Sequence, residues 1–64
     1  MKKFNTLKDL PAAKASFKRL GWTVESAKMR LNNRPAFVIT EPADQGGHSH
    51  TVTDYGLLEW ANEA

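Results

Sequence analysis

Leu10, Ala13, Phe17 and Leu20 recur at the i, i+3, i+7, i+10 spacing of one buried helical stripe. The pattern predicts an amphipathic helix with Lys14 and Lys18, four residues apart, beside that stripe and Lys8 and Arg19 further round. Pro11 suits the first turn, where a backbone N–H has no intrahelical partner to lose. Gly21 suits the far end, and Lys18 and Arg19 fall in the last turn, where the helix dipole favours cations. Upstream, Thr6 can cap a turn over TLKDL, with Asp9 at the place where a capping box carries Glu or Gln. The helix therefore starts near Pro11 or bends at Leu10.

After Gly21 the period shortens to two. Trp22 and Val24 share one parity, whereas Ala27, Met29 and Leu31 share the other. A phase change near Glu25–Ser26 predicts a bulge or bend within one long strand, with a turn as the alternative. Asn32-Asn33-Arg34 forms the next turn, because Asn tolerates the left-handed conformation. Pro35 opens the returning strand, where no donor is required. The segment AFVIT is almost continuously apolar and rich in β-formers, as a central strand would be. With a three-residue loop Met29 faces Phe37 and Ala27 faces Ile39, which turns Lys28 and Arg30 away from the core.

EPADQGG, residues 41–47, is a loop by composition. HSHTVT predicts a third strand. Thr53 or Asp54 then caps a final helix over YGLLEWANEA, with Leu57, Trp60, Ala61 and Ala64 as its apolar stripe. Gly56 weakens that helix by about 1 kcal/mol relative to Ala. The expected fold is α+β, in the order α-β-β-β-α: one small domain over residues 1–64, with two helices packed on a two- or three-stranded antiparallel sheet. The expected core is Leu10, Phe17, Leu20, Trp22, Val24, Met29, Phe37, Ile39, Leu57 and Trp60.

Composition narrows the chemistry. The 64 residues include no Cys, which removes disulfides, thiolate metal sites and Cys nucleophiles. With 41% hydrophobic and 25% charged residues the chain reads as globular rather than disordered. The opening MKKFNTLKDLP has no apolar run of signal-peptide length, and no stretch reaches the length of a membrane span. A cytoplasmic location is the expectation. The net charge of +2 conceals a polarity: residues 1–34 hold all nine basic residues and two acidic ones, a balance of +7, and residues 35–64 hold five acidic and no basic residues, a balance of −5. Such asymmetry is a hint of an acidic or nucleic-acid partner, or of two halves that attract each other.

Side-chain chemistry is sparse. His48 and His50 would share one strand face, but a metal site would need further ligands from Glu41, Asp44 or Asp54, and two solvent-facing histidines explain the pattern as well. No metal or cofactor is expected. Ser16, Ser26 and Ser49 stand in no activating motif, and Gly46-Gly47 is no phosphate loop. No catalytic residue is assigned and no enzyme activity expected. The candidate binding face is Lys14 and Lys18 on the helix with Lys28, Arg30, Asn32, Asn33 and Arg34 on the hairpin. It would take either a protein partner with an acidic surface or the phosphates of a nucleic acid.

The α-β-β-β-α order resembles that of the double-stranded-RNA-binding domain, whose last helix starts with a Lys-rich phosphate grip. Here that stretch is Thr53-Asp54-Tyr55-Gly56, and the helix carries Asp54, Glu59 and Glu63, so that grip has no counterpart and the resemblance covers topology only. The expectation is a non-enzymatic interaction protein, similar in size and style to phage- or plasmid-type accessory proteins that bind a host macromolecule. It would be a monomer or weak homodimer, with Tyr55, Leu58 or Trp60 as the apolar anchor.

Overall fold

A computed structural model describes residues 3–63. The chain runs through a 3-10 turn (Leu7–Asp9), helix α1 (Leu10–Arg19), strands β1 (Thr23–Leu31) and β2 (Arg34–Thr40), a second 3-10 turn (Ala43–Gln45), strand β3 (Ser49–Thr53) and helix α2 (Asp54–Glu63). The strands form an antiparallel meander in the order β1-β2-β3. The expected α+β fold with two helices on a three-stranded sheet is the one observed. The Cα atoms span 32 × 29 × 15 Å, a slab of two layers.

Local chemistry sets the ends of α1. The Asp9 carboxylate accepts from the backbone N–H of Asn5 (2.8 Å) and of Thr6 (3.1 Å), closing the capping box of the 3-10 turn that leads into α1. Those two donors hold its pKa below the usual carboxylate range. At the other end Gly21 has φ +86°, a left-handed conformation that favours glycine. Gly21 N–H donates to Lys18 O (3.1 Å) and Trp22 N–H to Phe17 O (2.9 Å), the paired bonds of a Schellman motif. The apolar contact that accompanies this motif is present too, with the Phe17 and Trp22 rings 5.3 Å apart.

Phe17, Ile39 and Leu57 are fully buried, with Ala13, Phe37, Leu58 and Ala61 around them and Phe4, Leu10, Trp22, Val24, Val52 and Trp60 packed against the cluster. Two expected core residues lie elsewhere. Leu20 is 48% exposed because it occupies the C-cap, one position beyond the last helical turn, where the chain departs from the helix axis. Met29 is 56% exposed, and its strand register differs from expectation. The hairpin turn holds two residues, not three: Asn32 and Asn33 have φ of 52° and 61°, as a type I′ turn requires, and Arg34 already pairs with Leu31. Further along, Val24 pairs with Ile39 and Ser26 with Phe37. Between Ser26 and Arg30 three residues of β1 oppose Ala36 alone. Met29 thus sits in an irregular segment, and Ser26 takes the place opposite Phe37. The expected position of Ala64 in the α2 stripe lies outside the described residues.

Directly paired residues share a face. Val24, Ser26, Phe37, Ile39, His50 and Val52 therefore lie on the side of the helices, and Thr23, Glu25, Val38, Thr40, Ser49 and Thr51 on the other. That second face is mostly small and polar, with Thr40 Oγ1 and Ser49 Oγ hydrogen-bonded at 3.0 Å. Asn62 ties the N-terminal segment to α2: its Oδ1 accepts from Lys3 and Phe4 N–H (both 2.9 Å), and its Nδ2 donates to Phe4 O (2.9 Å).

Candidate binding face

The stripe on α1 that turns Ala13 and Phe17 inward leaves Pro11, Lys14, Ala15 and Lys18 on its flank. This flank faces the start of β1. Together with Trp22, Thr23 and Val24 it lines a groove of about 460 Å3. Apolar groups make much of its lining, and the two lysines are its charged members. Lys14 Nζ lies 4.7 Å from the centre of the Phe37 ring, so its ammonium rests on that core ring beside the groove its side chain helps to line. Lys18 and Lys28 are exposed, and neither makes an ion pair among the described residues.

The hairpin residues divide. Lys28 projects from the irregular segment of β1, and Arg30 follows it on the same strand. The Arg30 guanidinium donates to Asn33 O (2.9 Å), which steadies the turn and leaves the residue exposed. Asn32 and Asn33 are exposed at the tip, where their backbone conformation makes the turn. Arg34 is set apart from the other cations. Its Nε and one terminal nitrogen donate to the two oxygens of Asp54 at 2.8 and 3.0 Å, and its guanidinium lies 4.4 Å from the centre of the Tyr55 ring. The Asp54 side chain is 4% exposed and also accepts from Tyr55 N–H (2.8 Å). The hydrogen bonds from the Arg34 guanidinium hold the Asp54 pKa below the usual carboxylate value against the opposing effect of burial. The attraction between the basic and acidic halves of the chain thus takes a specific form at this bidentate pair. It leaves Lys14, Lys18, Lys28 and Arg30 along the helix flank and β1.

No family model, curated protein or solved structure matches this chain. The basic flank and the remaining clusters must speak through their own geometry. Glu41 receives both histidines: Oε2 lies 3.1 Å from His50 Nε2 and Oε1 lies 3.4 Å from His48 Nδ1. A carboxylate only accepts, so His50 Nε2 carries the proton of that hydrogen bond. The bond to His50, followed by His48, lowers the Glu41 pKa. Among the described residues, no group of three or more His, Cys, Asp or Glu side chains is arranged to hold a metal ion. His50 is stacked instead, 4.6 Å from Trp60 and 6.4 Å from Trp22, in an aromatic cluster that continues to Phe17. Among the described residues, no helix is long and apolar enough to cross a membrane.

Sequence reasoning missed the partner of Arg34, the burial of Asp54 and Leu58, and the stacking of His50. Of the three candidate apolar anchors, Leu58 is buried in the core, Trp60 is partly buried in the aromatic cluster and Tyr55 is exposed beneath Arg34. The apolar surface next to the free cations is instead the groove itself, with Trp22, Ala15 and Pro11. A usable signal existed: positions 11, 14, 15 and 18 follow i, i+3, i+4, i+7 spacing and form a second face of α1 beside the buried one.

Proposed function

We propose that this protein is a non-enzymatic binding module whose basic α1–β1 side docks an acidic surface of a protein partner. The observation that carries the proposal is the groove with Lys14 and Lys18 on one wall and Trp22 within it, with Lys28 and Arg30 further along β1. Electrostatic attraction of this kind steers association and sets specificity, and affinity needs an apolar contact as well. The groove offers both in one place. A protein partner is favoured over nucleic acid because the cations border a walled slot. A duplex instead needs an open, broad array of phosphate contacts. The third basic element of such an array is lacking, since Arg34 is bound to Asp54 and α2 carries Glu59 and Glu63.

The test is retention on immobilised poly-glutamate and on immobilised duplex and single-stranded DNA and RNA, each over a salt series. Retention on poly-glutamate that salt releases, and that Lys18→Glu with Lys28→Glu removes while the circular dichroism stays native, supports the proposal. Retention on nucleic acid alone, or none on either support at low salt, overturns it.

A further inference from the structure

We infer that the groove receives an extended acidic peptide, which adds to the free edge of β1 as a fourth strand with an acidic–neutral–acidic pattern. This rests on the reading of the α1–β1 side as a site for acidic protein partners and specifies how the partner is held.

The backbone gives the first reason. β1 pairs with β2 along one edge, and among the described residues no strand pairs with its other edge. Along such an edge alternate residues direct their N–H and C=O groups outward, and an extended peptide can satisfy them. The groove lies along the start of this strand, at Thr23 and Val24, so a peptide seated in it runs beside those backbone groups. The regular stretch is Thr23–Ser26, before the irregularity at 27–29, which fixes the pairing at about four residues.

The side chains give the second. A peptide residue paired with Val24 or Ser26 shares their face, the one on the side of the helices, and so points toward the α1 flank. Two such positions are two residues apart on a strand, about 6.6 Å. Lys14 and Lys18 are four residues apart on a helix, about 6 Å along its axis. Two carboxylates at i and i+2 of the peptide therefore match the axial spacing at which α1 presents Lys14 and Lys18. The residue between them pairs with Glu25 on the opposite face, where a carboxylate would be repelled. The edge thus selects alternation over a continuous acidic run. Beyond Ser26 the peptide meets Lys28 and Arg30, where further acidic residues are favoured without strand pairing.

The experiment is fluorescence anisotropy with labelled, end-capped heptapeptides at low and moderate salt. One alternates Glu and Thr; one is the same sequence N-methylated at alternate backbone nitrogens, prepared in both phases; one is continuous Glu; one alternates Lys and Thr. The alternating Glu peptide is expected to bind and the Lys peptide not. One phase of N-methylation should weaken binding at least tenfold, because it blocks the backbone bonds and leaves every carboxylate in place. Lys18→Glu, and Lys14→Met (which keeps an unbranched side chain beside Phe37), should each weaken it severalfold. Glu25→Gln should narrow the preference for alternating over continuous Glu. If neither N-methylated phase loses affinity, or if continuous Glu binds as well as the alternating peptide to the native protein, strand addition is overturned while the acidic-partner reading stands. If no acidic peptide binds and poly-glutamate is not retained, both fail. Binding of a single-stranded oligonucleotide in place of every peptide also overturns the inference.

Discussion

Arg34→Ala removes one partner from the bidentate pair with Asp54 and leaves a carboxylate that is 4% exposed. Loss of a partner from a fully buried pair costs about 3–5 kcal/mol. The Arg34 side chain is 39% exposed, so solvent already screens part of the attraction and the figure must be reduced. Asp54 also keeps the N–H of Tyr55 and the favourable field at the start of α2, the latter worth about 0.3–1 kcal/mol. Loss of the stacking on Tyr55 acts in the other direction, by about 0.5 kcal/mol at an exposed site. The balance is a destabilisation of about 2–3 kcal/mol. A domain of this length has roughly 3–10 kcal/mol in total, so the loss is a large share. Thermal unfolding should fall by roughly 10–20 °C, and urea unfolding should shift its midpoint with the slope unchanged. Arg34→Lys keeps the charge without the planar fork and should lose about half as much. In a double-mutant cycle with Asp54→Asn the two effects should couple rather than add. Asp54 has a depressed pKa, so its contribution is complete above the ordinary carboxylate value near 4 and is lost as the pH falls through the lowered one. The gap between native protein and Arg34→Ala should therefore shrink in acid. A variant within about 0.5 kcal/mol of native at pH 7, the scatter of ordinary surface substitutions, would refute the reasoning, as would a gap that persists unchanged at low pH.

Gly56→Ala should lower the melting temperature despite the helix propensity of about 1 kcal/mol that Ala adds. The new Cβ would stand 3.2 Å from Val52 Cβ and 3.3 Å from Thr53 Oγ1, both anchored at the β3–α2 junction. A rise would show that the junction relaxes. Asn33→Gly should stabilise the hairpin by a few tenths of a kcal/mol, because the turn needs φ near +60°, and Asn33→Val should destabilise it by about 1–2 kcal/mol; urea unfolding of both distinguishes the turn from a longer loop. Glu41 has a lowered pKa through His50 and then His48, so its stabilising contribution is present above the ordinary carboxylate range and lost as pH falls below it. Glu41→Gln should flatten that part of the acid titration of stability, and His50 ring resonances followed by NMR should report release from the carboxylate; an unchanged titration would count against the bond.

The helix α1 was legible because its stripe, its proline and its terminal glycine agree on one answer, and the three strands were legible from period and turn residues. What failed was phase. Met29 and Phe37 are compatible with facing each other on hydrophobicity alone, and only the two-residue turn with the three-against-one irregularity puts Ser26 there instead. An inserted pair of residues leaves no mark in a pattern of period two, since the parity is the same before and after. Leu20 fitted the stripe by spacing, yet the helix stops one residue earlier in space than in pattern. In the candidate binding face, the cations were legible by charge and their fates were not. Arg34 differs from Lys28 by a carboxylate twenty residues away in sequence, and no local pattern announces that contact.

The irregular stretch of β1 bears on pairing between copies at the sheet edge. An exposed strand edge is a template for its own copies, and long flat edges nucleate aggregation. Here the regular stretch available for pairing ends at Ser26, after which the strand departs from regular pairing and presents Lys28 and Arg30. Two molecules meeting edge to edge would bring like charges together with little ladder to compensate. The same few residues thus disfavour edge-to-edge pairing of identical chains, and their charge would attract a segment of opposite sign.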